Sequence, residues 1–260
     1  MTTDPHLTQS LITAIFVAAS AGLLGSFVIL KRMALVGDAL SHVALPGIAL
    51  GIALGINPFI GAFATLLIAI IGIWYLKYQT ALPVDTLVGI FFTASLALGF
   101  LFIPNQDILE ALFGNIGTLS VVESAVSVAL SLIVITTLLI IRKKLALNMF
   151  SEELSHSIGI NNKKLDFVFL FIFALGVALG IRFVGSLLMG SLVIIPAASA
   201  KNISRSFKTF MSLSVLFAIL SAIGGVFLSR ILLVASGPLF ILSSVVLFIV
   251  SLIIKKTILS

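Results

Sequence analysis

Apolar residues in this chain come in runs of about twenty, the length of α-helix that crosses a bilayer core, separated by short stretches where lysine, arginine, asparagine and proline gather. On that ruler the pattern predicts nine crossings, near residues 10–30, 37–56, 59–77, 84–103, 119–141, 165–181, 184–200, 209–229 and 237–254. The sixth and seventh are short. Gly180 and Gly185 between them mark a tight turn, which fits two half-helices or a re-entrant pair. The expected fold class is all-α and polytopic, with residues 1–260 forming one transmembrane domain.

Basic residues orient this plan. With the N-terminus outside, the inner side receives thirteen of the fifteen lysines and arginines, and only Arg182 and Arg230 fall outside. The positive-inside rule then puts the N-terminus out and the C-terminus in. Composition agrees: 60% hydrophobic and 9% charged residues exclude a soluble domain, where charged residues approach a quarter. The formal charge of +6 sits in short clusters between apolar runs, so it signals topology rather than nucleic-acid binding. The absence of cysteine excludes disulfides, thiolate metal sites and cysteine catalysis. Residues 1–10 carry no lysine or arginine, which argues against a cleaved signal peptide.

Inside this apolar sequence, residues 31–47 read KRMALVGDALSHVALPG and place Asp38 four residues before His42. Four residues return to nearly the same helical face, so both side chains can close on one ligand. Ionisable groups inside a bilayer are costly and mark functional sites. A carboxylate oxygen with an imidazole nitrogen suits zinc, manganese or ferrous iron better than calcium. The other reading is structural, with Asp38 capping the helix that follows it and His42 bonded to a backbone carbonyl.

Other polar residues read as architecture. Asp85 and Glu123 fall near crossing ends, where carboxylates are solvated or capping, and His6 and His156 have no ligand partner at helical spacing. Ser151 can cap a short helix with Glu152 and Glu153 in its first turn. The outer segment 103–117, IPNQDILEALFGNIG, reads as a weakly acidic rim. Glycines at 22, 25, 47, 51, 55, 176, 180, 185 and 190 permit close helix packing. Lys201, Arg205 and Lys208, spaced by four and three, are expected to project from one face of a short helix on the inner membrane surface, lying on anionic lipid or docked to a soluble partner.

The run LKRMALVGDALSHVALPGIALG resembles the signature of permease subunits of bacterial zinc, manganese and iron ABC importers. LPVDTLVGI at 82–90, FGN at 113–115 and IRFVGSLLMGSLVIIPAASAKNISRSF at 181–207 are similar in order and spacing, and the resemblance extends from about residue 12 to residue 250. It implies a fold like that of the cobalamin and siderophore importer permeases, in the inner (plasma) membrane. It also implies a homodimer, with one cytosolic ATPase per permease and an extracytoplasmic metal-binding protein. By resemblance Asp38 and His42 occupy the metal positions, and the stretch beginning Ile195, Pro196, Ala197 and Ala198, with Lys201, Arg205 and Lys208, couples to the ATPase. One departure is LLVASGPLF, where Val234 and Ala235 replace an expected acid and proline.

These readings favour a transport subunit that imports a divalent metal, zinc by ligand softness, with manganese or iron as alternatives. No permanent cofactor is expected. The chain has no Walker motif, so ATP hydrolysis belongs to a partner and the chain is not itself an enzyme. An intramembrane metalloprotease would need HExxH and a third ligand, and one histidine lies within the crossings. An ATP-independent secondary carrier is the remaining competitor.

Overall fold

The computed structural model describes residues 5–80, 82–102 and 120–258, all in helices or short connections. Eleven helices are described: α1 (Pro5–Leu30), α2 (Ala34–Val43), α3 (Leu45–Ala53), α4 (Pro58–Gln79), α5 (Val84–Phe102), α6 (Val121–Phe150), α7 (Glu152–Ser157), α8 (Asn162–Val184), α9 (Met189–Ile203), α10 (Phe207–Leu232) and α11 (Ser236–Ile258). The rim at 103–117, with Asp107 and Glu110, lies outside the described residues.

Among the described residues, seven spans are long and apolar enough to cross a membrane: α1, α2 with α3, α4, α6, α8, α10 and α11. The fourth expected crossing corresponds to α5, nineteen residues long. The seventh is α9, fifteen residues or about 22 Å, too short for a core of about 30 Å. The sixth is the 23-residue α8 rather than a half-helix, ended at Gly185 with φ 87°. Gly185 and Gly55 therefore serve turns, not helix packing.

α1 and α8 form the interior, with 78% of each apolar window buried against 28% in α4, α6 and α11. α1 packs along α10, α6, α9 and α8, while α2 lies between α5 and α9. Small residues set the close approaches: Gly47 of α3 and Gly61 of α4 each meet the other's backbone carbonyl, where any β-carbon would collide. Buried serines such as Ser131, Ser199 and Ser244 donate to carbonyls of their own helix, so they need no distant partner.

Side chains close five of the described helix starts. Asn57 accepts from Phe59 N with Pro58 in the first turn, Ser151 from Leu154 N, Asn161 from Lys164 N and Ser206 from Thr209 N. Ser120 and Glu123 form a reciprocal capping box. Glu123 also accepts from Arg182 at 2.6 Å, joining the start of α6 to the end of α8.

The helix ends sort by charge. Lys31 and Lys77, at the ends of α1 and α4, meet Asp166 in the first turns of α8. Phe27 packs edge-on against Phe207 at 5.8 Å, bringing the start of α10 to that face, and Asn202 donates to Ser251 at 3.0 Å, bringing the end of α11. One face of the bundle thus collects most of the basic residues.

Candidate functional site

α2 begins because α1 stops abruptly. Met33 N–H bonds to Val28 O at 2.9 Å and Arg32 N–H to Ile29 O at 3.1 Å, with Arg32 at φ 58° in the left-handed position usually held by glycine. The chain reverses there and re-enters the bundle as α2. Asp38 is the fifth residue of α2 and its start lies at Met33, so Asp38 caps nothing. The structural reading of this carboxylate does not hold.

Asp38 is exposed and His42 half-buried, and with Leu35, 79% exposed, they lie at positions i, i+3 and i+7 of one face. Asp38's neighbour Gly37 packs near Phe173, the midpoint of α8, so the pair lies at mid-height in the bundle. On the other side Gly190, at the start of α9, lets that helix touch the Asp38 backbone. The His42 ring stands 5.5 Å from that of Phe92 on α5, and its Nδ1 is buried with no hydrogen-bond partner. A buried nitrogen left unpaired costs free energy, so the expected carbonyl bond is absent at this atom and a ring nitrogen stays free to accept or ligate. Among the described residues no third histidine, aspartate or glutamate joins the pair as a metal-ligating group.

The residues expected to couple divide. Pro196 and Ala197 are buried within α9 and Ala198 is half-buried, whereas Lys201, Arg205 and Lys208 are exposed. The three basic residues do not share one helix. α9 ends at Ile203, Arg205 sits in the break, and Ser206 caps α10, which carries Lys208. The cause is the pair of serines around Arg205, one of which serves a new helix better than it would continue the old one.

Asp85 is exposed in the first turn of α5, and Glu123 is spent on its cap and Arg182. Sequence reasoning missed Asp166. Its carboxylate is buried and accepts from Lys31 at 2.9 Å, from Lys77, and from Tyr78 at 3.0 Å, tying α1, α4 and α8 together beside the turn into α2. The available signal was one carboxylate at the start of a crossing with lysines ending two others, since a buried charge requires a partner.

A helical bundle with an ionisable pair at mid-height, long apolar outer helices and a basic face has the make-up of a multi-span membrane protein of a transport class. The chain belongs to the ABC 3 transport family, whose model matches residues 3–255. It is 36% identical over 251 residues to the high-affinity zinc uptake system membrane protein ZnuB of Haemophilus influenzae, covering 95% of this chain and 96% of that one. It is 35% identical over 253 residues to the manganese import system permease protein ScaB of Streptococcus gordonii, covering 95% and 91%. Among solved structures, PsaBC from Streptococcus pneumoniae in complex with Fab superposes with a TM-score of 0.83 at 32% identity, over 95% of this chain and 90% of that chain.

Proposed function

We propose that this chain is the permease subunit of an ATP-driven importer of a divalent transition metal, zinc in the first instance, with manganese or iron as the alternative cargo. The observation that carries this reading is the pair on α2: a carboxylate and an imidazole with an unpaired nitrogen, at mid-height, on a face its own chain leaves open. Relatives that carry the names of zinc and manganese systems support the cargo class.

Two ligands are too few for a divalent metal, which takes four or more. A second copy meeting the first across the α2 face would supply two further ligands and cover the exposed carboxylate. A site that must also release its cargo is better built from such shared ligands than as a closed structural cage. Imidazole favours zinc, while oxygen ligands suit manganese.

In this reading the basic face is cytosolic, with N-terminus out and C-terminus in. An extracytoplasmic binding protein delivers metal, and a cytosolic ATPase docks on the exposed Lys201, Arg205 and Lys208, whose position is set by the buried Pro196 and Ala197 and half-buried Ala198. Copurification with a cytosolic ATPase subunit, followed by uptake of radiolabelled zinc and manganese into proteoliposomes, tests the reading. Uptake that needs ATP and prefers zinc is expected. Metal movement without ATP or partner would instead establish a secondary carrier.

A further inference from the structure

The chain contains one tryptophan and two tyrosines, and all three fall within five residues of α4, as Trp74, Tyr75 and Tyr78. Tryptophan and tyrosine concentrate where a membrane protein meets the headgroups. The outward side of α4 shows why they sit here. Ile60, Ala64, Ile68 and Ile71 are exposed at spacings of four, four and three, an apolar stripe that continues into exposed Tyr75 and Gln79. Such a stripe, with Ile68 68% exposed, is a surface for acyl chains that ends at the basic face.

Beside the end of that stripe the charges do not balance. The Nζ groups of Lys77 and Lys163 lie 5.2 and 5.1 Å from the centroid of the Tyr78 ring. Asp166 answers only part of this charge, because one of its oxygens accepts from Lys31 and the other from Lys77 and Tyr78. Lys163 is exposed and has no carboxylate partner among the described residues. Glu152 of α7 acts on Tyr78 from a distance and forms no ion pair there. Three lysines against Asp166 and a distant Glu152 leave an excess positive charge. The Lys163 backbone is held in place, since Trp74 Nε1 donates to its carbonyl at 2.9 Å and Phe167 stands 5.4 Å from the Trp74 ring.

We infer that the seam between α4 and α8 binds an anionic phospholipid, its phosphate against Lys163 beside Tyr78 and its acyl chains along the stripe from Ile60 to Ile71. An ammonium group poised over an aromatic ring at the headgroup level, with an apolar track leading from it, matches a charged headgroup joined to hydrocarbon. A soluble protein partner would have no use for the track. Anionic lipid is attracted to each interfacial lysine by an amount that multiplies affinity about fivefold.

The full chain, purified from micelles containing equal phosphatidylglycerol and phosphatidylcholine, is analysed for bound lipid by native mass spectrometry. Wild type is expected to retain phosphatidylglycerol preferentially. Lys163→Gln, which keeps the carbonyl that Trp74 uses, is expected to lower that preference about fivefold, while Lys163→Arg preserves it and Lys164→Gln leaves it unchanged. Equal retention of the two lipids by wild type overturns the inference. So does an equal loss in Lys164→Gln, which would mean a diffuse surface charge. Unaltered lipid preference in Lys163→Gln with loss of ATPase copurification would assign the seam to a protein and overturn it as well.

Discussion

Gly190 touches the backbone of Asp38: a β-carbon at Gly190 would lie 2.8 Å from the Asp38 Cα and 2.9 Å from its nitrogen. Those separations are below any real carbon contact, and the obstructing atoms are backbone that cannot swing aside. Gly190→Ala must therefore push α2 and α9 apart, at a cost of about 1–3 kcal/mol, and displace the one acidic side chain of α2. The expected result is a folded protein with a lowered unfolding temperature and strongly reduced metal uptake. Wild-type uptake by this variant would show that the contact does not position Asp38.

The parts of the fold that hydropathy can see were legible, because a lipid-crossing helix must satisfy its backbone internally and expose apolar side chains. What averaging hides was not. α9 reads as a crossing because residues 184–200 are apolar, yet the turn after Gly185 consumes part of that length. The start of α2 was misplaced because the reversal at Arg32 lacks the glycine that usually announces it. That Asp38 and His42 share one helical face was legible from their spacing, whereas Gly190 and Phe92 meet them only through tertiary packing and left no local trace.

Asp166 holds Lys31 and Lys77 across three helices, with its side chain 4% exposed. Removing one partner from a buried ion network leaves uncompensated charge and costs about 3–5 kcal/mol. Asp166→Asn is expected to lower the unfolding temperature of the detergent-solubilised chain sharply. Adding Lys31→Met and Lys77→Met is expected to restore much of the loss, because no orphaned charge then remains. An unchanged midpoint in Asp166→Asn would mean the network contributes nothing net.

Orientation is open to labelling. Single cysteines replacing Lys163 and Lys201 are expected to react with a membrane-impermeant maleimide only from the cytosolic side, and one replacing Asp107 only from outside. The reverse pattern would invert the topology.

Exposed Lys201 and Lys208 flank the break between α9 and α10, and exposed Arg205 lies within it. Replacing all three with glutamate reverses the charge of the face while leaving the buried Pro196 and Ala197 untouched. Membrane insertion is expected to be normal, and copurification of the ATPase to fall by tenfold or more. Undiminished copurification would remove the loop from the docking surface.

We propose that Asp38 and His42 carry the metal. A divalent ion crossing lipid must exchange its water shell for protein ligands, and one carboxylate with one imidazole per copy supplies both charge and affinity. Asp38→Asn is nearly isosteric and keeps the contact with Gly190, so it removes the anionic ligand and little else. The decisive measurement is ATP-dependent uptake of radiolabelled zinc and manganese into proteoliposomes by Asp38→Asn and His42→Ala, with assembly checked by size-exclusion chromatography. Correctly assembled protein and loss of uptake of both metals are expected in each variant. Wild-type uptake by Asp38→Asn would contradict the ligand assignment.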